Sequence, residues 1–240
     1  MEKISEPQLD KIPKARKVSW ITLRFIIALV LFLATLFVFV SITDEIVLEK
    51  EGGFDQSFSG AIVPLVSPFA TSLMKYFTFF GSEMFLFPAY VLLIIYYILR
   101  KKSRLALDIT MIGLSSTGIL FLFKDIFKRH RPLDPLINNV TGFSYPSGHS
   151  FSSFTFFGIL IYIIWHTNIR KRWKMLIAFF LIVFAAIIAF SRVYLRVHYP
   201  SDVLAGFCLS VVWLMISIWI LHKTDRGMVG EKKRNSKVPA

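Results

Sequence analysis

Along this chain the apolar positions gather into long unbroken runs instead of recurring at an amphipathic interval. Six runs approach the roughly 20 apolar residues that a helix needs to cross a hydrocarbon core about 30 Å thick. They are Trp20 to Ile42, Phe77 to Leu99, Leu105 to Phe123, His149 to Trp165, Trp173 to Phe190 and Val203 to Leu221. A helix that is apolar all round suits lipid, where it satisfies its backbone polar groups internally. The first run has a basic lead-in, but it ends in SITDEIV without a small-residue cleavage site, so it is expected to be retained as a span. Between the first two runs lies AIVPLVSPFATSLM, Ala61 to Met74, which is apolar but short and interrupted by Pro64 and Pro68. The pattern predicts an all-α polytopic membrane bundle of six transmembrane helices with a short interfacial helical segment. A single domain over residues 20–222 is expected, flanked by polar tails at 1–19 and 223–240.

Composition agrees with the pattern: 55% of the 240 residues are hydrophobic and 18% charged, where a soluble domain is about one quarter charged. The net charge of +13 raises the question of nucleic acid, but the cations sit in short clusters between apolar runs and not along one stripe. Six spans with an inside N-terminus put 20 of the 28 Lys and Arg residues on the cytoplasmic side, which fits the positive-inside bias. A seventh span at residues 61–74 would move the cluster at Arg100 to the other side. Both termini are therefore expected in the cytoplasm, with no nucleic-acid partner and no obligate protein partner. The single cysteine, Cys208, is expected to be a small buried hydrophobe.

Most of the remaining cations flank the outer ends of spans three and five, against the orientation rule. In KDIFKRHRP, a helix continued past Phe123 would carry Lys124 and Arg131 on nearly the same face, where both could reach one anion or pair with headgroups. In YPSGHSF, Pro146, Ser147 and Gly148 suit a tight turn into a helix start that offers free N–H groups to an anion, with His149 in the first turn. In SRVYLRVHYPSD, Pro200 suits the first turn of the last span, and Asp202 lies four residues beyond His198. A carboxylate on one imidazole nitrogen leaves the other free to attack, and Arg192 supplies a planar fork suited to phosphate oxygens. Span parity brings all three stretches to one membrane face.

In this order, KxxxxxxRP, PSGH and SRxxxxxHxxxD resemble the motifs of the type 2 phosphatidic acid phosphatase family, without departure at any motif position. The resemblance covers roughly residues 77 to 221. It implies that His198 attacks phosphorus to give a phosphohistidine, oriented by Asp202, and that His149 protonates the leaving oxygen and then activates water. It further implies a phosphate clamp of Lys124, Arg131 and Arg192 with the Ser147 hydroxyl and the Ser147 and Gly148 amides. Ser191 is expected to make a structural hydrogen bond.

The resemblance implies no cofactor and no metal. Asp44, Glu45, Glu49, Glu51 and Asp55, which crowd the first outer loop, are expected to form a solvated face. The substrate would be a lipid phosphate whose tail stays in the bilayer. Bacterial members suggest undecaprenyl diphosphate first, with phosphatidylglycerol phosphate, phosphatidic acid or lipid A as alternatives. The expected setting is a bacterial inner membrane with the site facing outside. Two other classes share the motifs or the pocket: a vanadium-dependent haloperoxidase, which six spans disfavour, and a non-catalytic lipid binder or flippase.

Overall fold

The computed structural model describes residues 20–44, 52–138 and 140–235. Among the described residues eight α-helices follow one another: α1 Trp20–Ile42, α2 Gly53–Ile62, α3 Pro68–Phe79, α4 Glu83–Leu99, α5 Ser103–Phe127, α6 Gly148–Trp165, α7 Lys171–Tyr194 and α8 Pro200–Asn235. Among the described residues five segments are long and apolar enough to cross a membrane: Pro68–Leu99, Ser103–Phe127, Gly148–Trp165, Lys171–Tyr194 and Pro200–Leu221. Ile26–Ile42 in α1 is a shorter apolar helix. The protein is a helical membrane bundle, as the pattern predicts. The amino-terminal tail, residues 1–19, lies outside the described residues, as do Glu45, Glu49 and Glu51 of the first loop.

Residues 61–74 differ from the expected single short helix. They end α2, pass through a 3₁₀ turn at Val63–Leu65 and begin α3. The two prolines explain the break. Pro64 lies in the turn, and Pro68 opens α3, where its missing N–H costs nothing. Ser67 caps α3, its hydroxyl accepting from the Ala70 N–H at 3.2 Å. The Tyr194 hydroxyl then pins the turn to α7, accepting from Ser67 N at 3.1 Å and donating to the Leu65 carbonyl at 3.2 Å. The second run is likewise longer than expected, since α3 and α4 form one apolar track broken only at Phe80–Ser82.

Helix α6 is the axis of the bundle. Its Ser150, Phe151, Ser153, Thr155, Phe156, Phe157 and Ile159 are buried against α4, α5, α7 and α8. Large apolar side chains on the outer helices point the other way, with Phe37, Phe69 and Phe87 more than two-thirds exposed, as lipid-facing positions require. On one side α1 packs along α8, where Phe39 and Ile42 meet Phe151, Ala205, Cys208 and Leu209. Cys208 is buried there, as expected.

One contact sets how α8 approaches the start of α6. A Cβ on Gly206 would lie 2.7 Å from the Ser147 carbonyl oxygen and 3.2 Å from the Phe151 nitrogen, both backbone atoms with little room to shift. Glycine at this position lets the two helices touch through their backbones. Gly206→Ala is expected to destabilise the fold by about 1–3 kcal/mol and to lower the thermal unfolding midpoint in detergent. Gly118→Ala, whose Cβ would enter open space on α5, should leave that midpoint unchanged or raised.

Candidate active site

At the end of the bundle where α5, α7 and the entries to α6 and α8 meet, the core turns polar. Ser144, Ser147, Ser150, Ser191, Arg192, His198, Ser201 and Asp202 are all buried there. Helix α5 delivers Lys124 in its last turn and stops at Phe127, closed by Lys128 in the left-handed conformation with φ 46°. The helix runs only one turn past Phe123 and ends before Arg131, so Lys124 and Arg131 do not share a helix face. Arg131 instead stands on the following loop, fixed by hydrogen bonds to the carbonyls of Gly142 (3.0 Å), Thr141 (3.0 Å) and Val197 (2.8 Å). Lys124 reaches the Phe143 carbonyl at 2.6 Å. The two cations converge through the loop and not through helical periodicity.

Ser147 is the N-cap of α6, its hydroxyl accepting from the Ser150 N–H at 3.4 Å. Its own N–H donates to the Asp202 carbonyl at 3.0 Å. The expectation that the Ser147 amide faces a ligand is therefore corrected: that donor is spent joining α6 to α8. Gly148 opens α6 and heads its unpaired N–H groups. A Cβ there would lie 3.9 Å from Lys124 Cε, which places Lys124 beside the helix start. His149 follows, its Cδ2 3.1 Å from the position a Cβ on Gly81 would occupy. The break between α3 and α4 thus makes room for this imidazole, and Arg192, His198, Arg131 and Lys124 all lie within its electrostatic reach.

On α7, Arg192 is buried and donates to Thr78 Oγ1 at 2.7 Å, while its Nε finds no partner among the described residues. Ser191 makes the expected structural bond, to the Ile188 carbonyl at 2.6 Å. His198 is buried on the loop before α8, with Nδ1 3.4 Å from Asp202 Oδ2 and Nε2 3.2 Å from Arg131 Nη1. A guanidinium only donates, so Nε2 must carry the lone pair and Nδ1 the proton. Burial pushes the His198 imidazole down to about 4 despite the hydrogen bond and charge of Asp202, and Arg192 and Arg131 add to the effect. At neutral pH the ring is uncharged, with its lone pair at Nε2.

The structure thus brings His149, His198, Asp202, Lys124, Arg131, Arg192, Ser147 and Gly148 to one place. It adds four residues that sequence reasoning missed: Asp55, Arg129, Ser144 and Ser201. Ser144 donates a short hydrogen bond to Asp202 Oδ2. Arg129 donates to Asp202 Oδ1 at 2.7 Å and to Asp55 Oδ2 at 2.8 Å. Asp55, expected on a solvated face, is instead only 3% exposed and accepts from Ser201 Oγ at 2.7 Å. The one available signal for Arg129 was its place between Lys124 and Arg131, and nothing in the sequence singled out Asp55.

The sequence profile of the PAP2 superfamily matches residues 104–226, which hold every one of the three motif stretches. The chain belongs to the PAP2 superfamily. Among PAP2 relatives, it is similar to phosphatidylglycerophosphatase B of Bacillus subtilis (strain 168), 28% identical over 160 residues that make up 66% of this chain and 78% of the relative. It is also similar to the putative undecaprenyl-diphosphatase YbjG of Escherichia coli (strain K12), 30% identical over 128 residues, 48% of this chain and 60% of that protein. The crystal structure of a transmembrane PAP2-type phosphatidylglycerolphosphate phosphatase from Bacillus subtilis superposes with a TM-score of 0.69 at 27% identity, covering 82% of this chain and 96% of that one. The PAP2 homologues are lipid phosphatases, which makes this chain a multi-pass membrane member of a lipid phosphatase family.

The low-lying His198 has a consequence for stability. In the unfolded chain its imidazole titrates near 6.5, whereas in the fold it stays neutral down to about 4. Between those values the unfolded state binds a proton that the folded state refuses, so stability falls as pH falls through this window. The unfolding midpoint of the wild type should therefore drop more steeply from pH 6.5 to pH 4 than that of His198→Asn. Parallel curves would show that His198 titrates normally.

Proposed function

We propose that this PAP2 protein is a metal-independent lipid phosphatase that works through a phosphohistidine at His198. The observation that carries the reading is a neutral His198 whose Nε2 lone pair points at Arg131, with His149, Lys124 and Arg192 close by. A phosphate drawn in by these cations would displace Arg131 from Nε2 onto an oxygen. The Nε2–P bond then forms as the P–O bond to the lipid breaks, and His149, entering as the imidazolium with its charge offset by the bound phosphate, gives its proton to the departing oxygen. In the second half His149 takes a proton from water, whose oxygen attacks phosphorus and breaks the P–N bond, releasing phosphate and free His198. Asp202 offsets the positive charge that His198 carries in the intermediate. Arg192 Nε, buried and without a partner among the described residues, is a donor suited to an equatorial oxygen, as are the Ser147 hydroxyl and the Gly148 amide.

The distribution of Lys and Arg supports a site facing outside with both termini in the cytoplasm. In that setting two substrates come forward. Phosphatidylglycerol phosphate is favoured by the relative that matches the larger share of the chain. Undecaprenyl diphosphate is favoured by the outward site and by the second relative. The first is the leading reading.

The test is phosphate release by purified protein in detergent with EDTA present, from phosphatidylglycerol phosphate, undecaprenyl diphosphate, phosphatidic acid and lipid A. Release that continues in EDTA is expected, with a loss of at least about 10³-fold in His198→Ala and His149→Ala and about 10²- to 10³-fold in Arg192→Ala. The ranking of kcat/KM names the substrate. Turnover by His198→Ala at the wild-type rate would overturn the phosphohistidine reading, and no release from any lipid would favour a binding role.

A further inference from the structure

We propose that Arg129 and Asp55 are positioning residues for the nucleophile, acting through Asp202; this rests on the reading of His198 as the attacking group. Arg129, its side chain 15% exposed, occupies the centre of a relay whose carboxylates are buried. Its Nη1 donates to Asp202 Oδ1 at 2.7 Å and to Ser201 Oγ at 2.8 Å, and its Nη2 donates to Asp55 Oδ2 at 2.8 Å. Its guanidinium carbon lies 4.1 Å from the centre of the Tyr199 ring, which holds the plane of the fork. Asp55 is anchored in turn by the Ser201 N–H at 2.9 Å and the Ser201 hydroxyl at 2.7 Å. Helix α2 is thereby tied to the first turn of α8, the turn that carries Asp202.

The chemistry of the pair gives this relay a task. Asp202 has two oxygens, and His198 needs one of them held still. Ser144, the Tyr199 N–H at 2.9 Å and the imidazole share Oδ2, while Arg129 takes Oδ1 and fixes the rotation of the carboxylate. Arg129 also neutralises part of the Asp202 charge. An unpaired carboxylate beside the imidazole would favour the imidazolium, which cannot attack. With Arg129 in place, the resting ring stays neutral, yet Asp202 can still stabilise the positive ring of a phosphohistidine. Asp55 keeps Arg129 in register, because an arginine with a single carboxylate partner could swing toward the other cation-binding oxygens of the site. A surface ion pair would do none of this. Here Asp55 is 3% exposed and Asp202 is fully buried, so loss of either partner strands a charge.

The test compares Arg129→Gln, Arg129→Lys, Asp55→Asn and the double variant Asp55→Asn/Arg129→Gln in the full-length protein. Readouts are kcat, KM, the acid limb of kcat/KM and the thermal midpoint. Besides Asp202 and Arg129, the groups facing His198 are Arg192 on α7, Arg131 on the loop, Lys124 on α5 and His149 on α6, all of which the variants leave unchanged. Arg129→Gln should lower kcat on the order of 10²-fold with little change in KM, and move the acid limb to higher pH. Arg129→Lys should recover part of kcat. The double variant should be no slower than Arg129→Gln alone, because the two residues act as one unit. The proposal is overturned if Arg129→Gln keeps the wild-type kcat and acid limb, or lowers only the thermal midpoint. His198→Ala separates the two levels: activity in that variant would sink the nucleophile reading itself, whereas an inactive His198→Ala beside an unperturbed Arg129→Gln sinks only the relay.

Discussion

A carboxylate buried without water must have its charge and lone pairs met from within, and Asp202 is where the structure meets that demand. It is fully buried, and its partners come from two parts of the chain: Arg129 and Ser144 from the loop between α5 and α6, and Tyr199 and His198 from the turn into α8. Its backbone carbonyl holds the Ser147 N–H at the start of α6. An uncompensated charge here would cost several kcal/mol, so these segments are obliged to converge. The convergence of three sequence-distant motifs is thus a consequence of satisfying one buried anion.

That polar knot exists inside an otherwise inverted protein. Elsewhere the bundle buries small and aromatic side chains around α6 and turns its large apolar residues outward to lipid. Close backbone approach at Gly206, and the space left beside Gly81 for the His149 ring, allow the helices to sit near enough for the knot to form. The cations gathered there, Lys124, Arg131 and Arg192, are held by carbonyls and by Thr78 in place of counter-ions. Neutral oxygen partners leave their charge available to an anion, which the proposed function takes to be the substrate phosphate.

Much of this was legible in the sequence. The apolar runs gave the helices because all-round hydrophobicity in lipid leaves few alternatives, and the motif residues were legible because span parity brings three polar stretches to one face in the order that resembles the PAP2 motifs. What stayed hidden depends on tertiary contact. Where α5 stops, and hence how Arg131 returns to His198, is set by the left-handed Lys128 and by loop carbonyls, and neither has a periodic signature. The prolines mark the break within residues 61–74 locally, but its docking onto α7 through Tyr194, more than 120 residues away, lies beyond any local reading. Asp55 lies in an acidic stretch that composition assigns to solvent, and only the packing of α2 on α8 reveals that it is buried.

The most direct measurement is rapid chemical quench of the wild-type protein with a lipid substrate labelled in its terminal phosphate, followed by mapping of the labelled peptide. A base-stable, acid-labile phosphate on His198 that forms and decays at rates matching turnover, and is absent from His198→Ala, is the expected result. Full turnover with no enzyme-bound label, or label on another residue, would contradict nucleophilic attack by His198.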